Sequence, residues 1–155
     1  MIRTGVALLA VVALAALPAT ARAQVKKSGD VVKIEATAGK IDDSGKQTVT
    51  LTITIDKPWH IYANPVGQED LASTQTVVTV TGKNKPEEVK VDYPKGKVEM
   101  DKTVGDYNIY EDKVTITANV RRAKGDTEPL DVSVKMQACS KAQCLLPATV
   151  SLTAK

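Results

Sequence analysis

The chain predicts an all-β fold, an immunoglobulin-like antiparallel β-sandwich, and three observations carry that prediction. Apolar residues recur with a period of two along most of the chain, which is the mark of half-buried strands. The alternating runs are rich in Val, Ile and Thr, which pack well on a pleated surface. Turn-forming clusters separate the runs at short intervals, and no segment beyond the leader shows a helical apolar stripe.

In order, "VVKIEATAG" sets Val32, Ile34 and Ala36 on one face. "QTVTLTITID" directs Val49, Leu51, Ile53 and Ile55 inward and Thr48, Thr50, Thr52 and Thr54 outward. "TVVTVTG", "EEVKVDYP", "KVTITANV", "LDVSVKMQA" and "ATVSLTA" repeat the theme. "DDSGK", "DKP", "TGKNKP", "PKGK" and "AKGD" read as the turns between them, and a helical turn is expected only near "GQEDLAS". About seven to nine such strands suit a sandwich. The Cys…Trp…Cys spacing of antibody domains is absent, because Trp59 precedes both cysteines. The core is therefore expected to hold by apolar packing alone.

The first residues point to export. Arg3 precedes an apolar run from Gly5 to Leu17, and Ala21-Arg22-Ala23 forms an A-x-A cleavage site. The expected division is a signal peptide over residues 1–23 and one domain over 24–155. The run falls short of the roughly 20 residues of a spanning helix, so no membrane span is expected after cleavage. A periplasmic or otherwise exported domain lies where disulfides persist. Removing Arg3 and Arg22 leaves 19 basic against 18 acidic residues. With charges interspersed, one Trp and no Phe, the chain shows no nucleic-acid surface.

"MQACSKAQCLLP" holds both cysteines, Cys139 and Cys144, bracketing the hairpin-like loop "SKAQ". Their closeness and the oxidising compartment predict a bond between them. The register is awkward. Val132, Val134, Met136 and Ala138 share one face, as do Leu146, Ala148, Val150 and Leu152. Setting Cys139 opposite Cys144 would point these two sets to opposite sides, so a bulge or an offset cysteine is expected. Three chemistries compete for the pair. A structural staple closing so short a ring would gain only about 2 kcal/mol from loop closure. A soft metal such as copper would take the thiolates with Met136 or His60, without a clear third ligand. Thiol–disulfide exchange would use Lys135 and Lys141 to favour a thiolate, although loop lysines are commonly just solvated.

Three stretches together resemble a known family. "WHIYANPVG", "YPKGKVEMDKTVGDYNIYEDKVTITANV" and "VKMQACSKAQCLLP" are similar, in order, to the N-terminal periplasmic domain of the thiol:disulfide interchange protein DsbD. The resemblance spans most of residues 24–155 and implies an immunoglobulin-like fold. It implies electron passage from a membrane-embedded or thioredoxin-like donor protein to periplasmic thioredoxin-like acceptors, with no metal or organic cofactor. By the same resemblance Cys139 and Cys144 are the redox pair, Cys144 forms mixed disulfides, and Cys139 resolves them. Met100, Asp101, Lys102, Thr103, Val104 and Gly105 align with a cap loop that shields the disulfide. Asp101 stands for the cap's acidic residue and Tyr62 for a tyrosine beside the site. His60 takes the place of another aromatic, two positions earlier on the same strand face.

This chain departs from the best-known member in three ways. Its cysteine spacing is one residue shorter, Thr103 and Val104 replace bulky cap aromatics, and it is expected to be a free-standing module whose electron source is another protein. His60 has two readings, a proton-transfer group beside the pair or a surface strand histidine next to Trp59. Trp59, Ile61 and Tyr107–Tyr110 read as core and rim packing, and Asp101 on its own as a solvated loop charge. The rival functions are an exported binding module with a structural disulfide and, third, a copper-binding protein.

Overall fold

The computed structural model describes residues 25–154. The expected signal peptide and its cleavage site lie outside the described residues. Eleven strands run in chain order among those described. They begin with β1 (Val32–Ala38), β2 (Lys46–Ile55), β3 (His60–Tyr62) and β4 (Val77–Gly82). Next come β5 (Glu88–Asp92), β6 (Lys97–Glu99), β7 (Tyr107–Tyr110) and β8 (Lys113–Arg121). The last are β9 (Leu130–Met136), β10 (Ala138–Cys139) and β11 (Ala148–Thr153). A 3-10 turn over Glu69–Thr74 stands where "GQEDLAS" predicts one; another, over Ser28–Asp30, was not expected.

Every strand pair is antiparallel, in three sheets ordered β1-β2-β8-β5, β10-β3-β7-β6 and β11-β9-β4. The fold is an immunoglobulin-like β-sandwich. Alternation sets which face is buried: Val49, Leu51, Ile53 and Ile55 of β2 are all in the core, as are Val114, Ile116, Ala118 and Val120 of β8. They pack with Val78, Val80, Val132 and Val134 of the three-stranded sheet and with Ile61, Tyr110 and Ala138 of the third sheet. One apolar cluster thus joins all three sheets. At one edge, buried Arg122 donates to Gln47 Oε1 at 2.8 Å, pairs with Asp126 at 3.0 Å and donates to the Glu128 carbonyl.

The predicted bulge is present. Met136 pairs with Ala148 in β9–β11, but Cys139 faces Cys144 and the Leu145 N–H donates to the Ala138 carbonyl at 2.8 Å. The returning strand therefore carries one extra residue between Leu145 and Ala148, so that Leu146 and Pro147 together stand opposite Gln137, and a proline is tolerated at a bulge because it needs no ladder donor. The slip corrects one expectation. Leu146, placed with Ala148 on the inner face, is 53% exposed, and Leu145 is buried instead at 8%.

Ser28 fits into this irregularity. It is fully buried; its Oγ accepts from Ala138 N–H at 2.9 Å and donates to the Leu146 carbonyl at 2.7 Å. Its own N–H donates to the same carbonyl at 3.0 Å. One hydroxyl thus satisfies backbone groups that the bulge leaves without ladder partners.

Candidate functional site

The chain changes sheets at Gln137. β9 belongs to the three-stranded sheet, whereas β10 pairs with β3, setting Ala138 against Ile61 and Cys139 against His60. Side chains alternate across a strand, so Ala138 and Ile61 enter the core while Cys139, His60 and Tyr62 share the other face. Tyr62 pairs with Ile109, which brings Tyr107, two residues earlier on β7, to the same face.

Cys139 and Cys144 are joined, with S–S 2.03 Å and Cα–Cα 4.0 Å. The loop between them turns on Ser140: its N–H donates to the Gln143 carbonyl at 2.8 Å, and its Oγ accepts from Ala142 and Gln143 N–H, both at 3.3 Å. Gln137 Nε2 donates to the Leu145 carbonyl at 3.1 Å just beyond. The two sulfur-bearing residues have opposite environments. Cys139 is 2% exposed, packed with Tyr62 and Val66, while Cys144 is exposed on the loop.

The Tyr62 hydroxyl donates to Cys139 Sγ at 3.5 Å. Burial pushes the phenol up, which keeps it a donor. Tyr62 is held at its other end by Thr76, whose N–H and Oγ1 both donate to the Tyr62 carbonyl, at 3.0 and 2.6 Å. Tyr107 packs on Tyr62 at a ring separation of 5.7 Å, and His60 meets Tyr62 edge-on at 6.0 Å. Burial pulls the His60 imidazole down, with Lys97 acting the same way and Glu99 and Glu111 opposing. His60 Nε2 is buried with no hydrogen-bond partner among the described residues.

Residues 100–105 form the turn between β6 and β7. Asp101 Oδ1 accepts from Thr103 N–H at 2.7 Å and Val104 N–H at 3.0 Å, and these bonds hold its carboxyl below the usual range. Gly105, at φ +86°, closes the turn by donating to the Asp101 carbonyl at 3.0 Å. A left-handed backbone of this kind favours glycine. The turn is tied to the chain before the Glu69–Thr74 helix, where Gln68 Nε2 donates to the Val104 carbonyl. Lys102, Thr103 and Val104 are exposed, and Met100 is 82% exposed. Among the described residues no hydrogen bond joins this turn to either cysteine; Tyr107, two residues beyond it, packs on Tyr62.

The structure thus brings His60 and Tyr62 to Cys139 and sets Asp101 to shaping its own turn. Met136, offered above as a metal ligand, lies in the main core at 1% exposure. Trp59 and Ile61 pack in or against that core, with Lys26 Nζ 5.6 Å from the Trp59 ring. Tyr107 packs at the rim of the small cluster of Tyr62, Val66 and Cys139, and Tyr110 lies in the main core. Ser28 was missed because it lies 110 residues from the Ala138 N–H it caps.

The family described as "Thiol:disulfide interchange protein DsbD, N-terminal" matches residues 20–154. No curated protein matches the chain. Among solved structures, the N-terminal periplasmic domain of ScsB from Proteus mirabilis aligns at TM-score 0.61 and 17% identity. That alignment covers 81% of this chain and 46% of the other, so the chain spans less than half of that protein. The reduced DsbD N-terminal domain of Neisseria meningitidis aligns at TM-score 0.52 and 16% identity, covering 83% of this chain and 86% of that one. At such identities the structural likeness speaks for the fold, and the family match for descent. The chain belongs to the family of DsbD N-terminal domains.

Proposed function

We propose that residues 24–155 are a periplasmic thiol–disulfide exchange module that passes reducing equivalents between redox proteins through Cys139 and Cys144. The observation that carries this reading is the asymmetry of the pair, one cysteine buried beneath Tyr62 and the other exposed on a loop. Attack needs access, and a nearly buried sulfur is a poor target. A donor thiolate attacks Cys144 Sγ. A bond forms between the donor and Cys144, the Cys139–Cys144 bond breaks, and the electron pair leaves on Cys139 Sγ as a thiolate. The donor's second thiolate then attacks its own sulfur in the mixed disulfide, leaving an oxidised donor and a reduced pair. In the forward transfer, Cys144 attacks an acceptor disulfide and Cys139 displaces the acceptor by attacking Cys144. The pair needs no metal or organic cofactor for this.

Family membership supports thioredoxin-like partners on the acceptor side and a membrane-embedded or thioredoxin-like donor. It also supports a periplasmic location, and no helix among the described residues is long and apolar enough to cross a membrane. The turn over residues 100–105 acts as a cover by holding Tyr107 against Tyr62, and a docking partner displaces it.

Trapping tests the roles. Cys139→Ser, mixed with an oxidised thioredoxin-like protein, should accumulate a mixed disulfide through Cys144, visible on a non-reducing gel. Cys144→Ser should trap little. Reversed trapping would overturn the roles, and no trapping with equal stability losses would leave a structural staple.

A further inference from the structure

His60 Nε2 is the only buried side-chain nitrogen or oxygen without a hydrogen-bond partner among the described residues. Folded proteins pair the great majority of such atoms, and an orphan at a reacting centre calls for a reason. Its strand partner is Cys139, on the same face. Side chains facing each other across an antiparallel pair have Cβ atoms about 4.5–5.5 Å apart.

The closed disulfide asks little of its surroundings, since a neutral sulfur is a weak acceptor. Opening by attack at Cys144 changes that. The electron pair lands on Cys139 Sγ, and a full negative charge appears on a residue 2% exposed to solvent. A buried charge requires hydrogen-bond donors in place of water. Tyr62 supplies one from 3.5 Å. Resting on the exchange reading above, we propose that His60 supplies the second: its imidazole N–H, without a partner while the disulfide is closed, donates to the thiolate released on Cys139. The site is thus built for the open state and carries an unpaired donor in the closed one.

The groups acting on His60 fit this division. Burial and Lys97 of β6 disfavour the charged imidazole, while Glu99 of β6 and Glu111 after β7 favour it. Tyr62 meets it edge-on as a protonated phenol. With the disulfide closed the desolvation prevails, and the imidazole is neutral at pH 7. A thiolate on Cys139 adds a negative charge on its remaining side and raises its proton affinity.

His60 is the only histidine in the chain, so its imidazole signals in an NMR titration need no assignment. The intact protein would be titrated closed and again after reduction by dithiothreitol. The proposal predicts that the imidazole pKa rises on reduction and that the Nε2 resonance moves with it. Identical titrations in both states would overturn it. His60→Phe should slow opening by dithiothreitol about tenfold, or about 1.4 kcal/mol in the barrier, with a melting temperature unchanged or higher because the orphan is gone. A lower melting temperature with an unchanged opening rate would mark His60 as packing only and would also overturn the proposal. The exchange reading fails separately. A redox-dependent imidazole without partner trapping would sink exchange and uphold the His60–Cys139 contact, and trapping with a redox-blind imidazole would do the reverse.

Discussion

The sheet β1-β2-β8-β5 and the sheet β10-β3-β7-β6 are built to opposite rules. In the first, β2 and β8 run nine paired residues without a break, and every inward residue of β2 from Val49 on is fully or nearly fully buried. In the second, no strand exceeds four residues, and the outward face of β3 meets a disulfide instead of solvent. Regularity satisfies backbone groups cheaply, which is what a core needs. The short strands leave room for what repetition cannot place: a bulge, a buried hydroxyl, an unpaired imidazole and two unequal sulfurs. Stability and chemistry are therefore separable here, and substitutions should separate them.

The largest effect should come from the regular sheet. Leu51→Ala removes a fully buried side chain and should cost about 2–5 kcal/mol, read as a lower urea midpoint. The equilibrium of the disulfide with glutathione should stay put; a large shift there would break the separation. Next is Ser28→Ala, which strips the buried Ala138 N–H of its acceptor and should cost about 1–3 kcal/mol. Unlike Leu51→Ala, it should also make the disulfide easier to reduce, because it loosens the bulge that seats Cys144. An unchanged disulfide equilibrium would return Ser28 to the structural side.

A smaller effect should appear in the pH dependence of the closed protein. Burial holds His60 below its ordinary value of 6.5 in the fold. As pH falls through 6.5, the unfolded chain takes up the proton first, so stability should decline until the folded imidazole also titrates. His60→Phe should flatten that part of the curve; an identical slope would mean that the imidazole is not desolvated. The smallest effect should be Tyr62→Phe, about 1 kcal/mol at most, with slower reduction of the disulfide because the thiolate released on Cys139 loses a donor.

The same contrast governs what the sequence discloses. β2 and β8 were legible outright, since alternation is local and reads directly as inside and outside. The clash between the two apolar sets around the cysteines pointed to a bulge, yet it did not say which strand carries it, and Leu146 was set on the wrong side. The partners of the disulfide were reached through the family's motifs; periodicity alone marks His60 and Tyr62 only as alternate residues of a strand. Ser28 was invisible because three of its hydrogen bonds go to Ala138 and Leu146, far along the chain. Asp101 shows the converse: the motif suggested a site residue, and the structure gives it two backbone N–H groups of its own turn.

The central claim is that the Cys139–Cys144 bond is a working couple and not a staple, and its reduction potential tests that most directly. Equilibration of the intact protein with glutathione or thioredoxin buffers, read by thiol alkylation and mass, gives the value. Structural disulfides of exported proteins lie below about −300 mV, whereas exchange proteins occupy roughly −270 to −120 mV. The account predicts a potential within the exchange range. A value below about −300 mV would contradict it and leave the bond a staple.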